Sequence, residues 1–275
     1  MISVETCTFL LLGLFVLSAI FCLYGLVSRK ITVQKQGCWL AFTTFALQTL
    51  FLFLGYHKFF PIGLSVGAYL QLISWFILFC GLLAWKFFHQ QTLLLFATQF
   101  ALLIFLFSTP WLNYSIPLPA FVETSFYILH IGILLFFFGI LSTGFFVSIF
   151  FILVANRIKT KKKIMGIWQD FPALGMLDKI NGYCTLILLP LFTIGIIIGF
   201  LGAARLSGQL IDGDPKKITS LFVWLLLAIL FHNRVAKGWK GRKPAILMIL
   251  IFIICLFSIF IINPFFSSMH NYIDF

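Results

Sequence analysis

The sequence predicts an all-α integral membrane protein of about eight transmembrane helices, with both termini on the non-cytoplasmic side. Three observations carry that expectation. Hydrophobic residues make up 62% of the 275 residues and charged residues only 9%, against about 45–50% and about 25% in a soluble domain. So few charges cannot cover a soluble surface, which also excludes a disordered chain and a small disulfide scaffold. The apolar residues gather into runs long enough to cross a hydrocarbon core, at about 20 residues each. The 19 basic residues sit in short clusters between those runs, so the net charge of +12 reads as membrane topology and not as a nucleic-acid footprint.

Taken in order, the first run is Phe9–Val27. The segment before it, Met1 to Glu5, has no basic residue, so this run reads as a retained span and not a cleaved signal. Arg29, Lys30 and Lys35 follow it and precede the second run, Cys38–Gly55. The third, Ser65–Trp85, ends at Lys86, and the fourth, Thr92–Ser108, is among the shortest. The fifth is Ser125–Ala155, closed by Arg157, Lys159, Lys161, Lys162 and Lys163, with Lys179 further on. The sixth is Cys184–Ala203. The seventh, Ile218–Phe231 with its flanks, ends at Arg234, Lys237, Lys240, Arg242 and Lys243. The eighth is Ala245–Ile262. Alternate connections therefore hold nearly all the cations, and the other side keeps only Lys58, Arg205, Lys216 and Lys217. Lys and Arg bias sets orientation, which places the Ile158–Lys179 connection in the cytoplasm and both ends outside. The Arg157–Lys163 cluster reads as a topological anchor. Residues 1–275 read as a single polytopic membrane domain.

Several chemistries lack their motifs. There is no Walker motif, no Gly-x-Gly-x-x-Gly and no His-Glu-x-x-His. No Asp or Glu lies clearly inside an expected span, which argues against a proton-coupled pump. Cys7, Cys22, Cys38, Cys80, Cys184 and Cys255 form no Cys-x-x-Cys pair, so thiol–disulfide chemistry and covalent haem attachment are unsupported. All six read as small apolar filling. The halves differ in loop charge and run length, against an inverted-repeat transporter.

The five histidines are the candidate chemistry. His57, His130 and His270 fall toward the outer face, His89 and His232 toward the inner one. His130 sits six residues into the fifth run, roughly 8 Å below its outer end. An ionisable group at that depth is a functional-site candidate, and a hydrogen-bonded bridge between helices is the competing reading. His270 follows the last run by eight residues and can reach the same leaflet. Two neutral imidazoles there are a natural axial pair for a haem iron, and a solvated histidine in a tail is the alternative. His232 ends the seventh run as a site or as an interface marker, while His57 and His89 read as interfacial. The outer loop Thr109–Thr124, with Pro110, Trp111, Tyr114, Pro117 and Pro119, is a lid over a flat ligand or an aromatic belt.

Four segments carry a resemblance. They are Leu177-Asp178-Lys-Ile-Asn-Gly-Tyr183, Phe192-Thr-Ile-Gly-Ile-Ile-Ile-Gly199, the stretch from Phe231-His232-Asn-Arg234 through Gly238-Trp239-Lys-Gly241-Arg242, and Met269-His270-Asn-Tyr272. They resemble the cytochrome c assembly family, the CcsA/HemX-type membrane proteins that handle haem, over about residues 126–272. In that family a periplasmic histidine pair flanks a tryptophan-rich outer loop and holds haem with it. The resemblance implies that His130 and His270 are the pair, and therefore the metal ligands. It implies that His232 matches a further histidine associated with haem inside the membrane. Arg205 and Asp214 fall in the matching loop, and Arg205 or Lys216 is the cation a haem propionate would need. The family's loop tryptophans are replaced by Gly202, Ser207, Ile211, Gly213 and Thr219, which removes the flat stacking surface for a porphyrin and points to the HemX-like branch.

The resemblance thus implies a protein of the bacterial cytoplasmic membrane that is not an enzyme. It would hold non-covalent, b-type haem at its outer face for cytochrome c biogenesis or haem homeostasis. Its partners would be membrane lipid and other cytochrome c assembly or haem-biosynthesis proteins, with no nucleic acid. The rival is a membrane scaffold or regulator that has lost haem binding.

Overall fold

The computed structural model describes residues 4–59, 65–112, 125–161, 163, 165–207 and 214–259, with the backbone alone at 4–5, 55–59, 125–127 and 205–207. Eight α-helices run through the described residues: α1 (Val4–Ser28), α2 (Ile31–Phe59), α3 (Val66–Phe88), α4 (Gln91–Ser108), α5 (Ser125–Lys159), α6 (Leu174–Ser207), α7 (Pro215–Val235) and α8 (Arg242–Phe257). Seven of them, all but α8, hold a stretch long and apolar enough to cross a membrane. The described part of α8 is 16 residues long, and positions 260–262 of the expected last span lie outside the described residues. The protein is an all-helical, multi-pass membrane protein. Its outward faces are apolar, as at Val27, Phe53, Leu54, Leu201 and Ile253.

Helix α5 is 35 residues long and α6 is 34. At about 1.5 Å per residue both outrun a hydrocarbon core about 30 Å thick. Helix α6 starts ten residues before the expected sixth span, so Asp178 lies inside it. Lys35 likewise lies inside α2, one turn past its start. Hydropathy marks where lipid begins, whereas a helix continues into the interface as long as its backbone bonds are satisfied.

The chain divides into two compact units, Met1–Pro117 with Asn156–Pro172, and Leu118–Ala155 with Ala173–Phe275. In the first, α1 and α2 form a hairpin whose corner, Arg29, takes the left-handed conformation at φ 57°. Between lipid-facing helices the hydrophobic effect contributes little, so close backbone approach and interhelical hydrogen bonds must hold them. Glycines permit the approach. A Cβ on Gly25 would lie 2.5 Å from the Gln34 nitrogen, and one on Gly37 would lie 2.7 Å from the Cys22 nitrogen. Ser18 Oγ donates to Gly37 O at 3.0 Å and Ser74 Oγ to Ala101 O at 2.9 Å. Gln99 Nε2 donates to Ala19 O at 3.1 Å. Phe15 and Phe105, both fully buried, meet at 5.0 Å in the core. Residues 165–172 close one end of this unit. Thr92 Oγ1 donates to Asp170 O at 2.7 Å, Arg29 donates to Gln169, and Arg157 lies 4.5 Å over the Trp168 ring.

In the second unit α6 touches each of the other three helices. Asn181 Nδ2 donates to Ser148 Oγ of α5 at 2.7 Å, both side chains buried. The Phe137 and Phe192 rings stack at 4.4 Å. Trp224 Nε1 of α7 donates to Thr193 Oγ1 at 2.9 Å. Helix α8 fills the space beside α5 through Phe252, which stacks on Phe145 at 4.0 Å and on Phe138 at 5.7 Å. Five of the six cysteines are buried, and Cys22 and Cys38 lie side by side across the α1–α2 seam with their thiols in hydrogen-bond contact. Both are fully buried, which suits filling and not reactivity.

Candidate functional site

His130 lies in the second turn of α5, half-buried, with its ring against α6. Its Nδ1 stands 2.8 Å from the carbonyl oxygen of Gly195. A carbonyl can only accept, so Nδ1 carries the proton and donates it there. In the neutral ring the lone pair is then on Nε2, the nitrogen free to bind a metal. The ring edge rests on Gly199, where a Cβ would lie 2.5 Å from His130 Cε1, 3.1 Å from Nδ1 and 3.2 Å from Nε2. Gly195 receives the next turn of α5, since a Cβ there would meet Leu134 Cδ2 at 3.1 Å and Ile133 Cγ2 at 3.2 Å. Sequence reasoning placed His130 correctly near the end of its span and overlooked its seat. The signal was present as Gly195-x-x-x-Gly199, the small-residue spacing that lets helices approach.

His270 and most of the loop Thr109–Thr124, from 113 to 124, lie outside the described residues, as does the side chain of Arg205, which is placed only as backbone near the end of α6. Asp214 is the N-cap of α7. Its Oδ1 accepts from Lys216 N at 2.8 Å, and its carbonyl accepts from Ile218 N at 3.1 Å. Pro215 follows as the first helical residue, where its missing N–H costs nothing. The Asp-Pro-Lys run therefore has a structural reason, starting a helix. His232 lies exposed in the last turn of α7. His89 caps α3 in the left-handed conformation at φ 54°, its N–H bonded to Trp85 O at 2.8 Å. Among the described residues no group of three or more His, Cys, Asp or Glu is placed to hold a metal ion.

Two of the quoted motifs meet elsewhere. Arg234, at the end of α7, forms an ion pair with Asp178 of α6 at 3.2 Å, their side chains only 10% and 18% exposed. Its guanidinium also donates to the carbonyls of Asp178 and Trp239. Asp178 Oδ1 accepts in turn from Gly241 N at 2.8 Å. Gly182 makes room, since a Cβ there would lie 2.9 Å from Arg234 Nη2. Gly238 and Gly241 take φ of +65° and +79°, which favours glycine. This clasp fixes the α7–α8 turn to α6. Charge counting had assigned Arg234 to topology alone and had found no acid inside a span.

The fold and the seated histidine define a polytopic helical membrane protein with a metal-capable imidazole near one end of its α5–α6 pair. Comparison with known proteins places it further. Residues 64–270 match the family described as cytochrome c assembly protein, and the chain belongs to that family. It is 26% identical over 234 residues to "Cytochrome c biogenesis protein CcsA" of Mesostigma viride, an alignment covering 74% of each chain. It is 29% identical over 157 residues to the protein of that name from Chlamydomonas reinhardtii, covering 57% of this chain and 43% of that one. With the Marchantia polymorpha protein of that name the identity is 40% over 83 residues, 30% of this chain and 26% of the other.

Proposed function

We propose that this protein takes part in cytochrome c biogenesis as a haem-handling membrane protein, holding or presenting non-covalent haem at its outer face. The observation that carries the reading is His130, held on α6 with Nδ1 on the Gly195 carbonyl and Nε2 as its lone-pair nitrogen. The residues fit the group: a neutral imidazole in a cradle that a Cβ would fill would be a suitable nitrogen donor to haem iron. His270 is the proposed second ligand, and His232 belongs to a separate haem contact within the membrane. Arg205 would supply a cation for a propionate, and Asp214, which caps α7, belongs to the same stretch of sequence. Bound haem would supply the cargo or redox group, while the protein's own residues bind and orient it. We place the chain in a bacterial cytoplasmic membrane, in the HemX-like branch. Lipid and other cytochrome c assembly or haem-biosynthesis proteins are its partners.

A second reading is a scaffold or regulator of haem biosynthesis without haem. It is supported by Gly202, Ser207, Ile211, Gly213 and Thr219 at positions where the family has tryptophan. The absorbance spectrum of the detergent-purified protein separates the two. Haem handling gives a Soret band with low-spin bis-histidine features. His130→Ala abolishes them, and His270→Ala weakens them or converts them to high spin. His57→Ala and His89→Ala leave them intact. If the His130 and His270 double variant keeps the wild-type spectrum, the assigned pair is wrong. If the wild type takes up no haem, the scaffold reading stands.

A further inference from the structure

We infer that Gly199 and the Gly195 carbonyl are positioning elements that preset His130 for metal binding before any ligand arrives. The inference rests on the reading of His130 as a haem ligand. A histidine ring free in water prefers its proton on Nε2, the nitrogen that would have to donate to iron. A hydrogen bond at the other nitrogen decides which tautomer a protein holds. Here the acceptor is a backbone carbonyl, which cannot ionise or rotate away, at 2.8 Å from Nδ1. The bond forms only because the ring can lie against the helix surface. That needs position 199 to have no side chain, since a Cβ there would stand 2.5 Å from His130 Cε1, well inside contact distance. Even alanine at 199 therefore pushes the ring off α6 and breaks the bond at Nδ1. Gly195 has a different task. Its missing side chain admits Leu134 and Ile133, which brings α5 close enough for the ring to reach the carbonyl.

Gly13 serves as the internal control. It lies in the interior of α1, and nothing among the described residues lies within 4 Å of where its Cβ would be. Gly13→Ala therefore alters helix propensity much as Gly199→Ala does, by about 1 kcal/mol, without touching His130.

The test uses full-length protein in detergent with ring-15N-labelled histidine, His130 being assigned by the signal lost in His130→Gln. In the ligand-free wild type, NMR shows Nδ1 protonated and Nε2 unprotonated. Gly199→Ala shifts the proton to Nε2 or gives a mixture, and Gly13→Ala matches wild type. In haem titrations followed by absorbance, Gly199→Ala binds about 10- to 100-fold more weakly, the usual effect of losing a ligand's orienting partner, and its spectrum moves toward high spin. Gly13→Ala keeps wild-type affinity. A wild-type ring protonated on Nε2 overturns the inference, and that spectrum decides it even where Gly199→Ala does not fold. Wild-type tautomer and haem affinity in Gly199→Ala also overturn it. A tautomer switch in Gly199→Ala with no haem uptake by wild type upholds the positioning and refutes the axial-ligand reading.

Discussion

Replacing Arg234 with methionine tests what holds the α7–α8 turn in place. The apolar stem of the side chain is kept, while the guanidinium that lies against Gly182 goes, and with it the charge and its donors. Asp178 loses a partner at 3.2 Å and keeps the Gly241 N–H at 2.8 Å. The Trp239 carbonyl loses its donor at 3.3 Å. Breaking a buried ion pair by removing one partner costs about 3–5 kcal/mol. The low end applies here, about 3 kcal/mol, because Asp178 is 18% exposed and stays hydrogen-bonded. For a unit of this size that corresponds to a fall in Tm of roughly 6–12 °C. The assay is thermal unfolding in detergent, read by a fluorogenic maleimide that reacts as the buried Cys184 and Cys255 become accessible. Asp178→Asn keeps an oxygen for the Gly241 N–H, so its loss is smaller, about 1–2 kcal/mol for weakened charge-assisted bonds. The double variant falls short of the sum by at least about 1 kcal/mol, since the two side chains share one interaction. An Arg234→Met protein that melts with the wild type, or strictly additive losses, would refute the clasp.

Two further outcomes are expected. Alkaline phosphatase fused after Asp274 is active and fused after Lys163 is inactive, as the Lys and Arg bias requires; the opposite pattern inverts the topology and separates His130 from the outer face. Gly25→Ala costs about 1–3 kcal/mol by overpacking, because its Cβ would stand 2.5 Å from the Gln34 backbone nitrogen, whereas Gly13→Ala, with nothing described within 4 Å, does not lower the melting temperature.

Composition and the spacing of apolar runs determined the architecture by themselves. A bilayer admits few structures, so runs of about 20 apolar residues with few charges already specify helices that cross it. The same constraint made seven of the spans legible to within a turn or so at most ends, and it singled out His130 as an ionisable group at depth. What the sequence did not determine were contacts between residues far apart along the chain. Asp178 and Arg234 are separated by 56 positions, and hydropathy assigned each to a solvated connection. Only the packing of α7 against α6 brings them together and explains why glycines stand at 182, 238 and 241. Asp214 likewise looked like a ligand-loop residue until its carboxylate was seen to cap α7. The tautomer of His130 is the clearest case. Residue type supplies two ring nitrogens, and only the tertiary position of the Gly195 carbonyl, 65 residues away, decides which one carries the proton.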